Sequence, residues 1–219
     1  MQSVVETDKV SYKFDYYSAW EGQALKTFSR LQQRQKARRP VNHPYEGLSR
    51  EAPPFADDLR KRGWQLDIRR GQVGHGKQVY GALSRALKTW SHMDLGWCDT
   101  NRPMLESGNP VCIAAKTLFL WTRNPLRIVY AAEEQYPKPF KGRRLLYGQS
   151  TLLGHQLAGE ERFGLEWHAA DDSVWYEICT FSRPASALAA LTYPLVRKQQ
   201  HRFQQQSFKK MRTLAIAAK

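Results

Sequence analysis

The apolar pattern of this chain changes period three times, and those changes limit the folds open to it. In "GWQLDIRRGQV", Trp64, Leu66 and Ile68 alternate with polar neighbours, as in a half-buried strand. "GHG" at 74–76 breaks the run. "KQVYGALSRALKTW" then has helical spacing, with Val79, Leu83, Ala86 or Leu87, and Trp90 on one face. After it the period falls to two. "DLGWCDTN", "NPVCIAAKTLFLW", "LRIVYAAEEQ", "RRLLYGQSTLLG", "EERFGLEWHA" and "SVWYEICTFS" read as consecutive strands, with "TRNP" and the Asp171–Asp172 pair as turns. Pro184 ends the last of them. From Ala185 the helical period returns, with Leu188, Leu191, Leu195, Gln199, Phe203, Met211 and Leu214 as its stripe. Pro194 falls inside the stripe, which predicts a kink or a new helix there. A meander of strands has one apolar face to cover, and a long one-striped helix can cover it. The expected fold is therefore α+β: a curved antiparallel sheet of about seven strands wrapped on a long C-terminal helix, an arrangement that often leaves a cavity.

The first part of the chain reads differently. "GQALKTFSRLQQRQKARRP" has Leu25, Phe28 and Leu31 at helical spacing, and "VNHPYEGLSREAPPF" reads as a proline-rich linker, with compact structure resuming near Gly63. Residues 1–42 are expected to form a basic, partly helical extension, and residues 43–219 the folded domain. The formal net charge of +14 is concentrated in two segments. Residues 23–50 hold seven Lys or Arg against one acid, and residues 194–219 hold seven against none. Such segments suit weak contact with anionic lipid or nucleic acid, or form an ordinary solvated helix face.

Several function classes lack support. Cys98, Cys112 and Cys179 match no zinc or redox spacing, so no metal or cofactor is expected. No Ser-His-Asp or Cys-His arrangement is legible. No apolar run is long enough to span a bilayer and no secretory leader is visible, so the cytoplasm is the default location. "YGQSTLLGHQLAGEERF" (147–163) invites reading as a phosphate loop, but its glycines lead into acidic, strand-like sequence, where a phosphate would meet Glu160 and Glu161. The better reading is a strand with bends or bulges at Gly148 and Gly154, a turn near Gly159, and a returning strand.

On that returning strand Glu160 and Glu161 point to opposite faces, and Glu161 shares parity with Phe163 and Leu165. Glu161 is thus the inward carboxyl, with a pKa expected to be raised if the wall is apolar. His155 lies across the turn and can meet it, either as a proton-transfer pair or as a structural hydrogen bond. Arg183, before Pro184, can hold an anionic ligand group at a cavity mouth or pair with a neighbouring acid.

"YGQSTLLGHQLAGEERF" and "VWYEICTFSRPASALAALTYPLVRKQQHRF" resemble the signature of the domain-of-unknown-function 1990 family, and "HPYEGLS" and "GQVGHGKQVYGALSRALKTW" fit it more loosely. The resemblance covers roughly residues 43–212. The family label implies no activity. Its element order is similar to the START and birch-pollen-allergen helix-grip folds, which implies a hydrophobic ligand held between sheet and C-terminal helix.

The expected function is accordingly the binding of a small apolar or amphipathic molecule. Tyr130, Tyr147, Phe163, Trp175 and Tyr176 are the expected aromatic wall. Leu191, Leu195 and Phe203 line the helix side, and Arg183 stands at the mouth. The alternatives are an enzyme of cyclase, dehydratase or isomerase type using His155 and Glu161 as catalytic groups, and a nucleic-acid or membrane-surface adaptor acting through the basic ends.

Overall fold

The structure, a computed structural model, describes residues 16–18, 39–51, 56–117, 120–135 and 141–218. The expected basic helix of residues 22–39 lies almost entirely outside the described residues, and only Tyr16–Ser18 (β1) and residues 39–42 of the extension fall within them.

The remaining strands are β2 (Gln65–His75), β3 (Cys98–Thr100), β4 (Pro110–Thr117), β5 (Leu120–Gln135), β6 (Gly142–Thr151), β7 (Leu157–His168) and β8 (Ser173–Pro184). The helices are α1 (Ala56–Lys61), α2 (Lys77–Lys88), α3 (Ala187–Leu191) and α4 (Tyr193–Ala217). Strands β3 to β8 form an antiparallel meander, β2 closes beside β8, and the order across the sheet is β2-β8-β7-β6-β5-β4-β3, with β1 paired to β5. This is the α+β helix-grip architecture: a curved antiparallel sheet gripping a long C-terminal helix.

The main core lies between the concave face and helices α2 and α4. Tyr147, Phe163, Leu165, Tyr176 and Ile178 from the sheet meet Leu83, Leu87, Trp90 and Met211 there, all fully enclosed. Each such side chain contributes about 1.5–3 kcal/mol by leaving water, so the sheet and α4 stabilise each other. A second, smaller core sits on the convex face, where Phe181 and Trp64 pack with Leu59 and Tyr45.

Four local expectations are corrected. "TRNP" is not a turn: Thr122 and Asn124 pair with Ala115 and Ile113 inside β5, and the β4–β5 connection falls at residues 118–119, outside the described residues. Pro125 is tolerated because pairing of β5 to β6 begins only at Leu126, so its missing N–H interrupts no ladder on that side.

The turn of the glycine-rich stretch is not at Gly159. It runs through Gly154 (φ 91°) and is closed by His155 N donating to Leu152 O at 3.0 Å. Gly159 lies inside β7, where a Cβ would stand 2.0 Å from Phe181 O, so glycine is needed there for close strand approach. At Gly148 a Cβ would meet the Tyr130 ring at 2.4 Å, so this glycine seats a ring, and the accompanying bulge is on β5 between Ile128 and Tyr130.

Residues 41–51 are not a free linker. Val41 bridges to Leu152, Asn42 N donates to Thr151 O at 3.2 Å, and a short 3-10 turn at Leu48–Arg50 lies on the convex face. Proline and glycine content cannot separate a strap from a tether. The distinction is made by buried Glu160, which accepts from Gly47 N (2.7 Å), Ser49 N (2.9 Å) and the Ser49 and Ser150 hydroxyls.

Finally, the helical stripe is rotated from its expected position at its start. A new helix does begin at Pro194, and the buried face of α4 is Gln204, Ser207, Phe208, Met211 and Ala215. Leu188, Leu191 and Leu195 are 53%, 79% and 53% exposed. The break at Thr192 resets the helical phase, so residues before it do not continue the stripe beyond it.

Candidate functional site

One cross-strand row sets the chemistry of the concave face. Register pairing places Ile128, Gln149, Glu161, Thr180 and Asp67 side by side on β5, β6, β7, β8 and β2. Next to it, Tyr147, Phe163 and Ile178 form an apolar row. The first half of α4 passes over the polar row and is tied to both sides of the sheet. Arg197 makes a two-pronged ion pair with Asp67 (Nη2 to Oδ1, 2.7 Å), and Gln200 donates to Ser182 Oγ at 3.2 Å. Gln199 donates to Lys116 O at 2.8 Å.

Beneath this span is a cavity of about 160 Å³. Its apolar surface includes Ile113, Ala115, Leu126, Leu157, Val196 and Phe203, and its polar surface includes Gln149, Glu161, Thr180, Asn124 and Gln199. An apolar cavity of about 150 Å³ accepts one aromatic ring, so the space suits a ring-sized body.

Glu161 accepts from Gln149 Nε2 at 3.1 Å and from Thr180 Oγ1 at 3.3 Å. Burial pushes its carboxyl up to about 7, and the two hydrogen bonds only partly oppose that shift. His155 is at the β6–β7 connection on the rim. Its Nδ1 accepts from Leu157 N at 2.9 Å, which assigns the ring proton to Nε2. Burial lowers its pKa to about 4, so the ring is neutral at physiological pH. His155 and Glu161 line the same cavity, but the hydrogen bonds of each go elsewhere, and the expected His–Glu contact does not form. Among the described residues, no group of His, Cys, Asp and Glu is arranged to hold a metal.

Of the expected wall residues, Phe203 lines the cavity, and Phe163 stands behind it with ring centroids 6.2 Å apart. Tyr147 and Tyr176 face the concave side but fill the solid core, their hydroxyls bonded to His92 Nε2 (2.9 Å) and Ser207 Oγ (3.0 Å). Tyr130, Trp175 and Arg183 are on the opposite face. Tyr130 lies over Gly148 with its hydroxyl on Ser49 Oγ (2.8 Å). Trp175 lies under the Arg70 guanidinium at 4.4 Å, and Arg183 covers the Trp64 ring at 4.5 Å rather than a cavity mouth. Both faces of β8 are apolar because both are covered, so composition could not assign the inner one. Leu191 and Leu195 project from the α3–α4 corner into solvent.

Several cavity residues escaped the sequence reading. Gln149 has the parity of Tyr147, and Thr180 that of Tyr176, so strand alternation could have placed both inside. Gln199 occupies an apolar position of the helical stripe, which was a signal in itself. Part of the C-terminal basicity is structural: Arg197 pairs with Asp67, Arg202 lies 4.6 Å from the Trp97 ring and Arg212 lies 5.3 Å from that of Phe208. No helix among the described residues is long and apolar enough to cross a membrane.

The chain has relatives among known proteins. A UPF0548 protein of Arabidopsis thaliana is 37% identical over 172 residues, covering 76% of this chain and 82% of its own. One of Dictyostelium discoideum is 33% identical, covering 67% of this chain and 70% of its own. Among solved structures, Ara h 8.0201 superposes with a TM-score of 0.43 and 11% identity, over 71% of this chain and 99% of its own. The profile of the domain of unknown function DUF1990 matches residues 49–210, which begins at the strap serine on Glu160 and ends near the close of α4. The chain belongs to the DUF1990 family.

Proposed function

We propose that this protein binds a small amphipathic molecule in the cavity between the sheet and the first half of α4. The observation that carries this reading is the cavity itself: a ring-sized space with one apolar side and one row of hydrogen-bonding groups, beneath a helix segment held by polar ties rather than by a filled core. Sites of this kind orient a ligand through a few placed polar groups and hold it by burial. Native mass spectrometry of protein purified from cells tests it. A retained species of small-molecule mass is the expected result. Protein that is uniformly ligand-free, and that no small aromatic probe stabilises, would refute it.

One observation favours a second reading, an acid–base enzyme of cyclase, dehydratase or isomerase type. A carboxyl that titrates near 7 inside a cavity is matched to proton transfer at physiological pH. On this reading Glu161 is the catalytic group and His155 an Nε2–H donor at the rim. Incubating the retained ligand with wild type and Glu161→Gln, with chromatography to detect isomers, separates container from catalyst: turnover in the wild type that drops about a hundredfold in the variant would favour the enzyme.

A further inference from the structure

We propose, building on the binding reading above, that the cavity selects a small primary amine with a compact apolar body, its ammonium group received by the Glu161 carboxylate and Gln149 Oε1.

The polar row presents acceptors. The Thr180 hydroxyl gives its one proton to Glu161 and Gln149 Nε2 gives one of its two, so the row keeps a single N–H beside its unshared acceptors. Gln149 is fully buried and lines the cavity, and its Oε1 has no hydrogen-bond partner. A buried acceptor without a partner costs about 1–3 kcal/mol, and a ligand that donates there removes the deficit. A carboxylate or phosphate would bring a second anion beside the Glu161 carboxyl.

The charge balance points the same way. Glu161 makes no ion pair among the described residues, and its neighbours supply no free cation. Glu160 is turned to the convex face by its bonds to the strap. Asp67, two strands along the row, is matched by Arg197 of α4. Arg202 of α4 is placed over Trp97, and His155 on the rim is neutral. Cys98 on β3, Tyr147 on β6, and Tyr176 and Cys179 on β8 feel the Glu161 charge, and burial keeps each of them protonated. From α4, the cavity is faced by Val196, Gln199, Gln200, Phe203 and Gln204, none of which titrates. A cavity-lining carboxylate in such surroundings is stabilised strongly by a hydrogen-bonded cation. The remaining surface, including Leu126, Leu157 and Phe203, fits the apolar body.

The ammonium needs Glu161 ionised, and burial holds that carboxyl near 7 in the empty protein. Amine binding therefore displaces a proton at lower pH. Affinity is expected to fall about tenfold per pH unit below 7 and to level off above it.

The test is calorimetric titration of the full chain with phenethylamine, phenethyl alcohol and phenylacetate at about pH 8 and pH 5.5. The expected result is that the amine binds at least about tenfold tighter than the alcohol at the higher pH, loses that advantage at the lower pH, and loses it in Glu161→Gln while alcohol binding persists. Alcohol or phenylacetate binding as tightly as the amine at pH 8, or an amine preference that survives in Glu161→Gln, overturns the amine assignment and leaves the cavity reading standing. No binding of any of the three up to millimolar concentration overturns both.

Discussion

Glu161→Gln is expected to stabilise the protein, and to do so only above the acidic range. A carboxyl whose pKa is raised by folding binds more protons in the native than in the unfolded state between the two pKa values, so wild-type stability falls as pH rises through that interval. For Glu161 the interval runs from the model-peptide value of 4.5 to about 7. At 1.36 kcal/mol per unit, the full shift corresponds to about 3 kcal/mol, an order-of-magnitude figure. Glutamine fits the same row, because its carbonyl can accept from Thr180 and its amide can donate to Gln149 Oε1 once the Gln149 amide, whose Nε2 faces Glu161 in the wild type, turns over. The hydrogen-bond balance is thus preserved while the charge is removed. For a chain of this size, about 2–4 °C of melting temperature follows each kcal/mol. The variant should therefore melt about 6–12 °C above wild type at pH 8, with the gap shrinking towards zero near pH 5. Differential scanning calorimetry of both proteins across that range checks it. Taking the difference cancels the titration of every other group that the substitution leaves alone. A gap that does not change with pH, or a variant that is less stable throughout, would refute the placement of Glu161 as a desolvated, cavity-lining carboxyl without a cationic partner.

Other perturbations read the rest of the architecture. Phe203→Ala should cost about 1–3 kcal/mol, since its half-buried ring meets Phe163, whereas Leu195→Ala, at an exposed site, should stay within about 0.5 kcal/mol of wild type; equal effects in chemical denaturation would contradict the rotated stripe. Glu160→Ala leaves the Gly47 and Ser49 amides without their acceptor, so hydrogen exchange at these two amides should accelerate markedly while exchange in the α2–α4 core stays slow. A chain beginning at His43 is expected to unfold cooperatively on heating, because it keeps Gly47 and Ser49, the part of the strap that binds Glu160. One beginning at Gly63 removes Ser49 from Glu160 and Tyr130 and should aggregate. Identical behaviour of the two would show that the convex face needs no cover.

Much of this protein follows from local sequence pattern. The alternation in "EERFGLEW" put Glu161, Phe163 and Leu165 on one face before any partner strand was known, because side-chain direction in a strand depends only on parity. The element order likewise followed from the three changes of period, and the new helix at Pro194 from the fixed φ of proline. What parity cannot say is which face turns inward. In β8 both faces are apolar, and only the packing of α4 on one side and the Trp64 cluster on the other assigned Tyr176 to the core and Trp175 to the outside. The phase of α4 was equally undetermined, since the break at Thr192 uncouples Leu188 and Leu191 from the stripe beyond it. The site itself depends on register. Gln149, Glu161 and Thr180 are separated by 12 and 19 positions in sequence and meet only because antiparallel pairing sets them side by side. Parity is a property of one strand and can be read from it. Register and helical phase are set by long-range pairing and packing, so the carboxyl was legible from the sequence and its neighbours were decided by the tertiary structure.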